Sequence, residues 1–405
     1  MNSVQDIWDA HICCGCGICA AVCPQQAIRH VIHENGCAGP AINENCVHCG
    51  RCKKVCPQEA LLTGDTTPET AAIGPLLSCF TARARDEKMS DNGTSGGFVT
   101  ALIRFLLETK AYDAAFLTDT HTYRDAPGTR RIQLVSELAA TQKSRYVQVA
   151  HTDEIAYIVQ HREERLILVG TPCYLRGFLK VVEQYGLDRA QYLLIGLFCD
   201  KTMTAHVWGY FDTIFAEGKL AAMHFRAKEQ KGWPGDVKLI GQDEQVQFLD
   251  RAERVGVKEY FVPESCLYCT DKLNTSADLS VGDNYISGRK DARGSNTVLI
   301  RTERAAAVWE QAKEAFVYET CTPAQVVQSQ HLERKEQNSQ FLTYKREAST
   351  AKAYEQALRR MRLGEQRQYE AIHAEVQAKR RKQAALVHRL ASGCKRFFKQ
   401  KGHRK

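Results

Sequence analysis

The sequence predicts a small α+β domain, a larger α/β domain and a helical C-terminal extension, and three observations carry that division. Ten of the seventeen cysteines fall before residue 60, a shift in composition that marks a first domain over residues 1–65. From about residue 77 to 346, strand-like apolar runs alternate with amphipathic segments, the pattern of an α/β fold. Beyond residue 347 the strand signals stop and Ala, Glu, Gln, Lys and Arg dominate, a composition that favours helix. The polar, turn-forming stretch over 66–76 is read as a linker.

A chain of 405 residues has ample material for a core of its own. It is 44% hydrophobic and 25% charged, and no apolar run approaches the roughly 20 residues of a membrane span, which argues against an integral membrane protein. Residues 1–10 lack a basic segment leading into an apolar one, so the expected location is the cytoplasm. Cytosolic thiols stay reduced, and most of the cysteines are therefore expected to hold metal. The net charge of +8 is uneven: from Ala351 onward sixteen Lys or Arg face four Asp or Glu, which leaves the first 350 residues mildly acidic. The basicity belongs to the extension, and no nucleic-acid partner is implied.

The first domain carries the most specific motif. Cys13-x2-Cys16-x2-Cys19-x3-Cys23-Pro24 is followed by Cys46-x2-Cys49-x2-Cys52-x3-Cys56-Pro57, and each run has the spacing of a bacterial two-cluster ferredoxin. Three thiolates on one tight loop reach three irons of a cubane, while the fourth cysteine crosses to the other cluster. The expected ligands are Cys13, Cys16, Cys19 and Cys56 for one [4Fe-4S] cluster and Cys46, Cys49, Cys52 and Cys23 for the second. Gly15, Gly17 and Gly50 permit the turns that aim backbone N–H groups at sulfur. A pair of zinc knuckles is the competing reading of Cys-x2-Cys, and it is disfavoured by two four-cysteine runs that both end in Cys-Pro. Cys14 and Cys37 stand outside the pattern, and Cys14 reads as a packed small hydrophobe.

In the second domain, Arg165–Gly170, Gln191–Phe198, Ala277–Val281 and Thr297–Arg301 read as strands, with helices near 97–109, 174–185, 203–217 and 303–315. Asn92-Gly-Thr-Ser-Gly-Gly97 opens a helix with apolar residues at 98, 99, 102, 103, 106 and 107. Such a turn serves either as plain capping or as an anion site for a nucleotide diphosphate. Gly170-Thr-Pro-Cys173 and Cys199 each end an apolar strand, where α/β sheets place ligands, and Cys266-x2-Cys269 follows.

These elements, together with Lys143-Ser-Arg-Tyr-Val-Gln148 and Ala277-Asp-Leu-Ser-Val-Gly-Asp283, resemble the beta-subunit family of the deazaflavin-dependent (coenzyme F-420) hydrogenases and dehydrogenases, in a version with a fused N-terminal ferredoxin. The match covers roughly residues 10–340. The resemblance implies that residues 77–346 form an FAD-binding α/β domain, with Cys173, Cys199, Cys266 and Cys269 as ligands of a third [4Fe-4S] cluster. By residue spacing alone, Cys173 and Cys199 read equally well as buried small side chains. The resemblance assigns FAD contacts to Thr94, Ser95, Gly96 and Gly97, to Lys143, Ser144, Tyr146 and Gln148, and to Gly170 and Thr171. An ordinary strand with solvent-facing polar residues is the competing reading of 143–148. The chain departs from the family where Asp200-Lys201 replaces a common His-Gly and where Asn284 replaces an aromatic. The acceptor is thereby left open, since the family includes reductases of chlorophyll-type pigments.

The expected function is that of an iron–sulfur flavoprotein oxidoreductase that moves electrons between ferredoxin-type clusters and a two-electron organic substrate through FAD. Its expected partners are a ferredoxin or another redox protein and a small-molecule substrate. The alternative is a non-catalytic electron-transfer subunit of a larger complex. His206, Lys201 and Asp283 are candidate proton donors, each with a surface or structural reading as its rival. In the extension 347–405, Tyr354, Leu358 and Met361, then Ile372 and Val376, then Leu386 and Leu390, give a basic amphipathic pattern. It suits an anionic membrane face, an acidic redox partner or the protein's own acidic body.

Overall fold

The computed structural model describes residues 2–63, 73–118, 121–124, 126–216, 218–289, 291–333 and 335. The basic extension 347–405 and most of the expected linker lie outside the described residues.

Residues 2–63 form the small α+β unit. Strands β1 (Ile28–Ile32) and β2 (Ala38–Ile42) pair antiparallel, and short helices Ile18–Ala21 and Arg51–Lys54 follow the two cysteine loops. Val4, Ile7, Ile12 and Ile28 make its core, with the half-buried thiols of Cys13, Cys19, Cys23 and Cys56 packed against them.

The larger unit is built on an eight-stranded sheet. Its strands are β3 (Ser78–Ala84), β4 (Ala114–Leu117), β5 (Arg130–Ile132), β6 (Leu166–Gly170), β7 (Tyr192–Leu197), β11 (Leu279–Asp283), β12 (Asn296–Ile300) and β13 (Phe316–Thr320). Their spatial order is β13-β3-β12-β11-β7-β6-β4-β5. The four central strands β11, β7, β6 and β4 are mutually parallel, and the flanking strands are antiparallel. A parallel sheet is covered on both faces, and strand periodicity shows which residues do it. Ala115, Ile167, Leu193 and Ile195 face the helices Phe98–Glu108 and Glu303–Ala312, whereas Phe116, Leu166, Leu168 and Leu194 face Thr152–Gln160 and Pro172–Tyr185. Ile18, Val22 and Val55 of the small unit join that second core, so the two units share hydrophobic packing.

A second sheet, of β8 (Leu220–Ala227), β9 (Asp236–Gly241) and β10 (Val246–Leu249), runs antiparallel in the order β10-β9-β8. It packs with helix His206–Phe215 around Phe211, Phe225 and Leu239. The strands and helices expected within 77–346 occur, with helix 203–217 shortened to His206–Phe215. This second sheet was not among the segments read from the sequence.

Asp278 shows why the stretch 277–283 is built as it is. Its buried carboxylate accepts the Leu194 N–H at 2.9 Å, Arg189 Nη2 at 2.8 Å and Thr302 Oγ1 at 3.1 Å, and so ties the start of β11 to β7. Replacing Asp278 by Ala leaves these donors without an acceptor, and we expect a loss of about 2 to 3 kcal/mol in a urea-unfolding titration.

Candidate electron-transfer cleft

The fold brings the predicted cysteines together in three sets. The Cys19 thiol neighbours those of Cys13 and Cys56, and Cys16 neighbours Cys19 and Cys56. Cys23, Cys46, Cys49 and Cys52 line one small hollow on the far side of the unit. Cys199 neighbours Cys266, Cys173 and Cys269. Gly15, Gly17 and Gly50 have φ of 71°, 75° and 76°, the turn geometry the motif requires. Burial pushes the Cys13 thiol up to about 11 and the Cys56 thiol up to about 12, the latter with help from Cys13. Burial likewise pushes Cys266 up to about 11, with Cys269 adding to it. Crowded, buried thiols of this kind favour a cationic group that takes them as thiolates. Among the described residues, no three His, Cys, Asp or Glu side chains are arranged to hold a single metal ion. A cubane takes one thiolate at each iron corner and asks for no such convergence on a point.

A cleft of about 1040 Å³ opens at the C-terminal ends of the parallel strands, lined by Leu117 of β4, Gly170 of β6, Leu197 of β7 and Asp283 of β11. This is the side on which open α/β sheets take their ligands. Cys173, Cys199, Cys266 and Cys269 border it, as do Cys14 and Cys16 of the small unit. Cys173 lies in the first turn of helix Pro172–Tyr185, and Cys199 donates its N–H to Lys272 O at 2.9 Å. The buried Asn274 holds the 266–275 loop against the strand ends through Gly170 O at 2.9 Å.

Of the residues expected to hold the cofactor, all but Gly96 line this cleft. Gly96 serves close packing instead: a Cβ there would stand 2.9 Å from Ala82 O and 3.0 Å from Ser295 Cα. Thr94 Oγ1 accepts Ser144 N–H at 2.8 Å and Lys143 Nζ donates to Asn92 O at 3.0 Å, so the 92–97 turn and the 143–148 segment form one wall. The Phe98 N–H donates to Asn296 Oδ1 and the Ser95 hydroxyl to Ser295 O. Gln148 has a second allegiance, since its side-chain oxygen accepts the Ala38 N–H of the small unit at 2.8 Å.

The opposite wall comes from the second sheet and helix Arg251–Tyr260. Nine Lys or Arg side chains line the cleft against the two carboxylates of Asp200 and Asp283. Arg226 makes a bidentate pair with Asp283 and donates to the Tyr146 hydroxyl at 3.2 Å. Burial raises the Tyr146 phenol, but Arg226 and Arg254 outweigh it and hold the group below its ordinary range. Arg176 and Arg254, both on the lining, each keep a buried Nε–H without a hydrogen-bond partner. Orphaned cationic donors in a cleft of this size fit an anionic ligand such as a dinucleotide.

Lys228 was missed in the sequence. It is 9% exposed and donates to Ser90 O, Ser95 O and Arg293 O at 2.6, 2.9 and 2.7 Å, which braces the glycine-rich turn from behind. The only signal for Arg226 and Lys228 was a pair of cations at the end of an otherwise strand-like run.

Three expectations change. Asp283 is no proton donor: burial would raise it, but Arg226 outweighs that and keeps it below the usual carboxylate range, with Trp233 Nε1 also donating at 3.0 Å. His206 packs against Gly36, away from the cleft, whereas Lys201 is on the lining. Cys14 borders the cleft next to the thiols of Cys16 and Cys173 instead of packing in an apolar core. At the departures from the family pattern, Asp200 and Lys201 line the cleft, whereas Asn284 lies in the loop after β11. Asp200 pairs with Lys258 at 2.8 Å, and Asn284 donates to Ser295 Oγ and Arg289 O within its own loop.

Behind the cationic wall, the His121 and His224 rings lie 4.3 Å apart. Burial, then Arg145 for His121 and Lys143 for His224, lower them from 6.5 to about 3 and about 4. The folded state therefore binds fewer protons than the unfolded chain between those values, and stability present above about pH 6.5 is lost as pH falls through the window. Urea midpoints should drop from pH 7 to pH 5, and by less in His224→Gln; an equal drop in both would show that the pair is not responsible.

The comparisons with known proteins agree with this architecture. The family model for the C terminus of the coenzyme F420 hydrogenase/dehydrogenase beta subunit matches residues 163–326, its N-terminal counterpart matches 79–155, and a 4Fe-4S binding domain matches 6–29 and 41–62. A coenzyme F420-dependent sulfite reductase of Methanocaldococcus jannaschii is 23% identical over 84% of this chain, which spans 53% of that protein's length. The coenzyme F420 hydrogenase subunit beta of Methanococcus voltae is 25% identical over 68% of this chain and 96% of its own. A chain of the F420-reducing [NiFe] hydrogenase complex from Methanosarcina barkeri shares the fold, with a TM-score of 0.50 at 17% identity over 68% of this chain and 94% of that one. With a 4Fe-4S domain fused ahead of both halves of the family's pattern, the chain belongs to the coenzyme F420 hydrogenase/dehydrogenase beta subunit family.

Proposed function

We propose that the protein is an iron–sulfur flavoprotein oxidoreductase that exchanges electrons between a redox-protein partner such as a ferredoxin and a two-electron organic substrate. The observation that carries this reading is the cleft itself, which gathers four thiols, the glycine-rich turn and a cationic wall at the strand ends, directly against the small cysteine-rich unit. FAD bound there would supply the conversion between single electrons and a two-electron transfer.

The chain's own residues suit the supporting tasks. Lys143 and the 92–97 turn, braced by Lys228, would hold the cofactor's diphosphate, and Gly170 and Thr171 on the same lining would contact it as well. Arg226, fixed by Asp283, orients Tyr146 and presents positive charge to the substrate side. Cys13, Cys16, Cys19 and Cys56 would hold one cluster, Cys23, Cys46, Cys49 and Cys52 a second, and Cys173, Cys199, Cys266 and Cys269 the third, each supplying one-electron chemistry. A reduced deazaflavin coenzyme is the first substrate to test, because the relatives named above use it.

A second reading, a subunit that works inside a larger complex, is favoured by the hydrogenase subunits among those relatives. Two measurements decide. Anaerobically reconstituted protein should hold about twelve iron atoms and one flavin per chain, and Cys199→Ala should lower iron by about four. Absence of flavin sinks the flavoprotein reading. The isolated chain should then pass electrons from reduced deazaflavin, NADH or reduced ferredoxin to a dye; loaded protein inactive with all three favours the subunit reading.

A further inference from the structure

Cys79 and Cys321 belong to none of the three thiol sets. The register of β13 against β3 runs Phe316↔Ala84 to Thr320↔Phe80, so the next opposed pair is Cys321 and Cys79. The structure bears this out: Cys321 N–H donates to Cys79 O at 3.2 Å, and Cys79 Sγ donates to Cys321 O at 3.0 Å. The two thiols lie near enough for each to bear on the other's titration. Opposed residues joined in this way have Cα atoms about 5.5 Å apart, inside the roughly 4.4 to 6.8 Å that a disulfide spans.

We propose that Cys79 and Cys321 are a reversible dithiol–disulfide site that fastens the outer strand of the sheet under oxidising conditions. Strand β13 is the sheet's edge and, among the described strands, pairs with β3 alone. Cys79 is buried at 6% exposure, while Cys321 is half-buried and open to a small oxidant. Burial, then Cys79, pushes the Cys321 thiol up to about 12, so the pair reacts slowly at neutral pH. Oxidation by a small disulfide is balanced: the two thiols give up two protons and two electrons, one Sγ–Sγ bond forms, and the small disulfide is cleaved to two thiols.

The position gives the bond a consequence. Cys321 leads directly into helix Pro323–Gln330, which Thr322 caps. That helix ends on the cleft, where Gln330 Nε2 donates to Asp283 O at 2.8 Å and Lys272 donates to Gln330 O. A Cys79–Cys321 bond therefore fixes both the edge strand and the segment that closes one side of the cleft. It does not depend on which cofactor the cleft holds.

The test uses full-length, iron-loaded protein kept free of oxygen, treated with oxidised glutathione, then blocked at its free thiols and mapped by mass spectrometry. A peptide linking Cys79 to Cys321 is expected, reversible by dithiothreitol, absent in Cys79→Ser and in Cys321→Ser, with iron content unchanged in all three. Amide exchange in 321–333 should slow by about tenfold on oxidation of the wild type and not of either variant. Recovery of both cysteines as free thiols or separate glutathione adducts overturns the disulfide. A linked peptide without slower exchange overturns its effect on the segment.

Discussion

The arrangement of this protein depends on the seam between the first cysteine loop and the 148–154 segment of the larger unit. His151 donates its N–H to Cys16 O at 2.9 Å, Thr152 Oγ1 donates to Gly17 O at 3.1 Å, and Gln148 accepts from Ala38. The approach is so close that a Cβ on Gly15 would stand 2.4 Å from the Gln148 amide nitrogen, at a φ of +71° that already favours glycine. Beneath the seam, Glu154 is 1% exposed and gathers donors from Thr129 at 2.8 Å, His151 at 2.6 Å and Tyr174. A buried carboxylate with its acceptor capacity used in this way fixes the groups around it, because losing any donor leaves charge uncompensated. His151 is thereby held flat against Tyr174, with ring centroids 3.5 Å apart, and Tyr174 is the residue after Cys173. One polar cluster thus sets the spacing between the first and third thiol sets.

Given that seam, the sheet decides the rest. Four parallel strands end together, and each contributes to the floor of the cleft because the chain must leave the sheet there. The second sheet then supplies the cationic wall. Its arginine at 226 is 3% exposed and tolerable because Asp283 accepts both of its arms, with Tyr285 and Trp233 completing the carboxylate's shell. Lys228, one residue beyond Ala227, points its charge into the Ser95 carbonyl of the turn and the flanking Ser90 and Arg293 carbonyls on the other side. Two neighbouring cations on one strand end therefore brace both sides of a single cleft.

The sequence by itself determined the cysteine motifs and the α/β pattern of the larger unit, though not its second sheet. The Cys-x2-Cys-x2-Cys-x3-Cys-Pro runs are local, so their spacing carries their meaning, and the alternation of apolar strands and amphipathic helices fixes the α/β layering through burial on both faces. The strands ending at Gly170 and Leu197 were legible for the same reason. Only the tertiary structure decided what depends on residues far apart in the chain. It paired Arg226 with Asp283, gave Gln148 to the small unit as well as the cleft, withdrew His206 to Gly36, and set Cys14 beside Cys173 and Cys79 opposite Cys321. Periodicity reports which face of an element is buried; it carries no record of which distant side chain meets that face, and ion pairs, orphaned donors and opposed thiols are properties of that meeting.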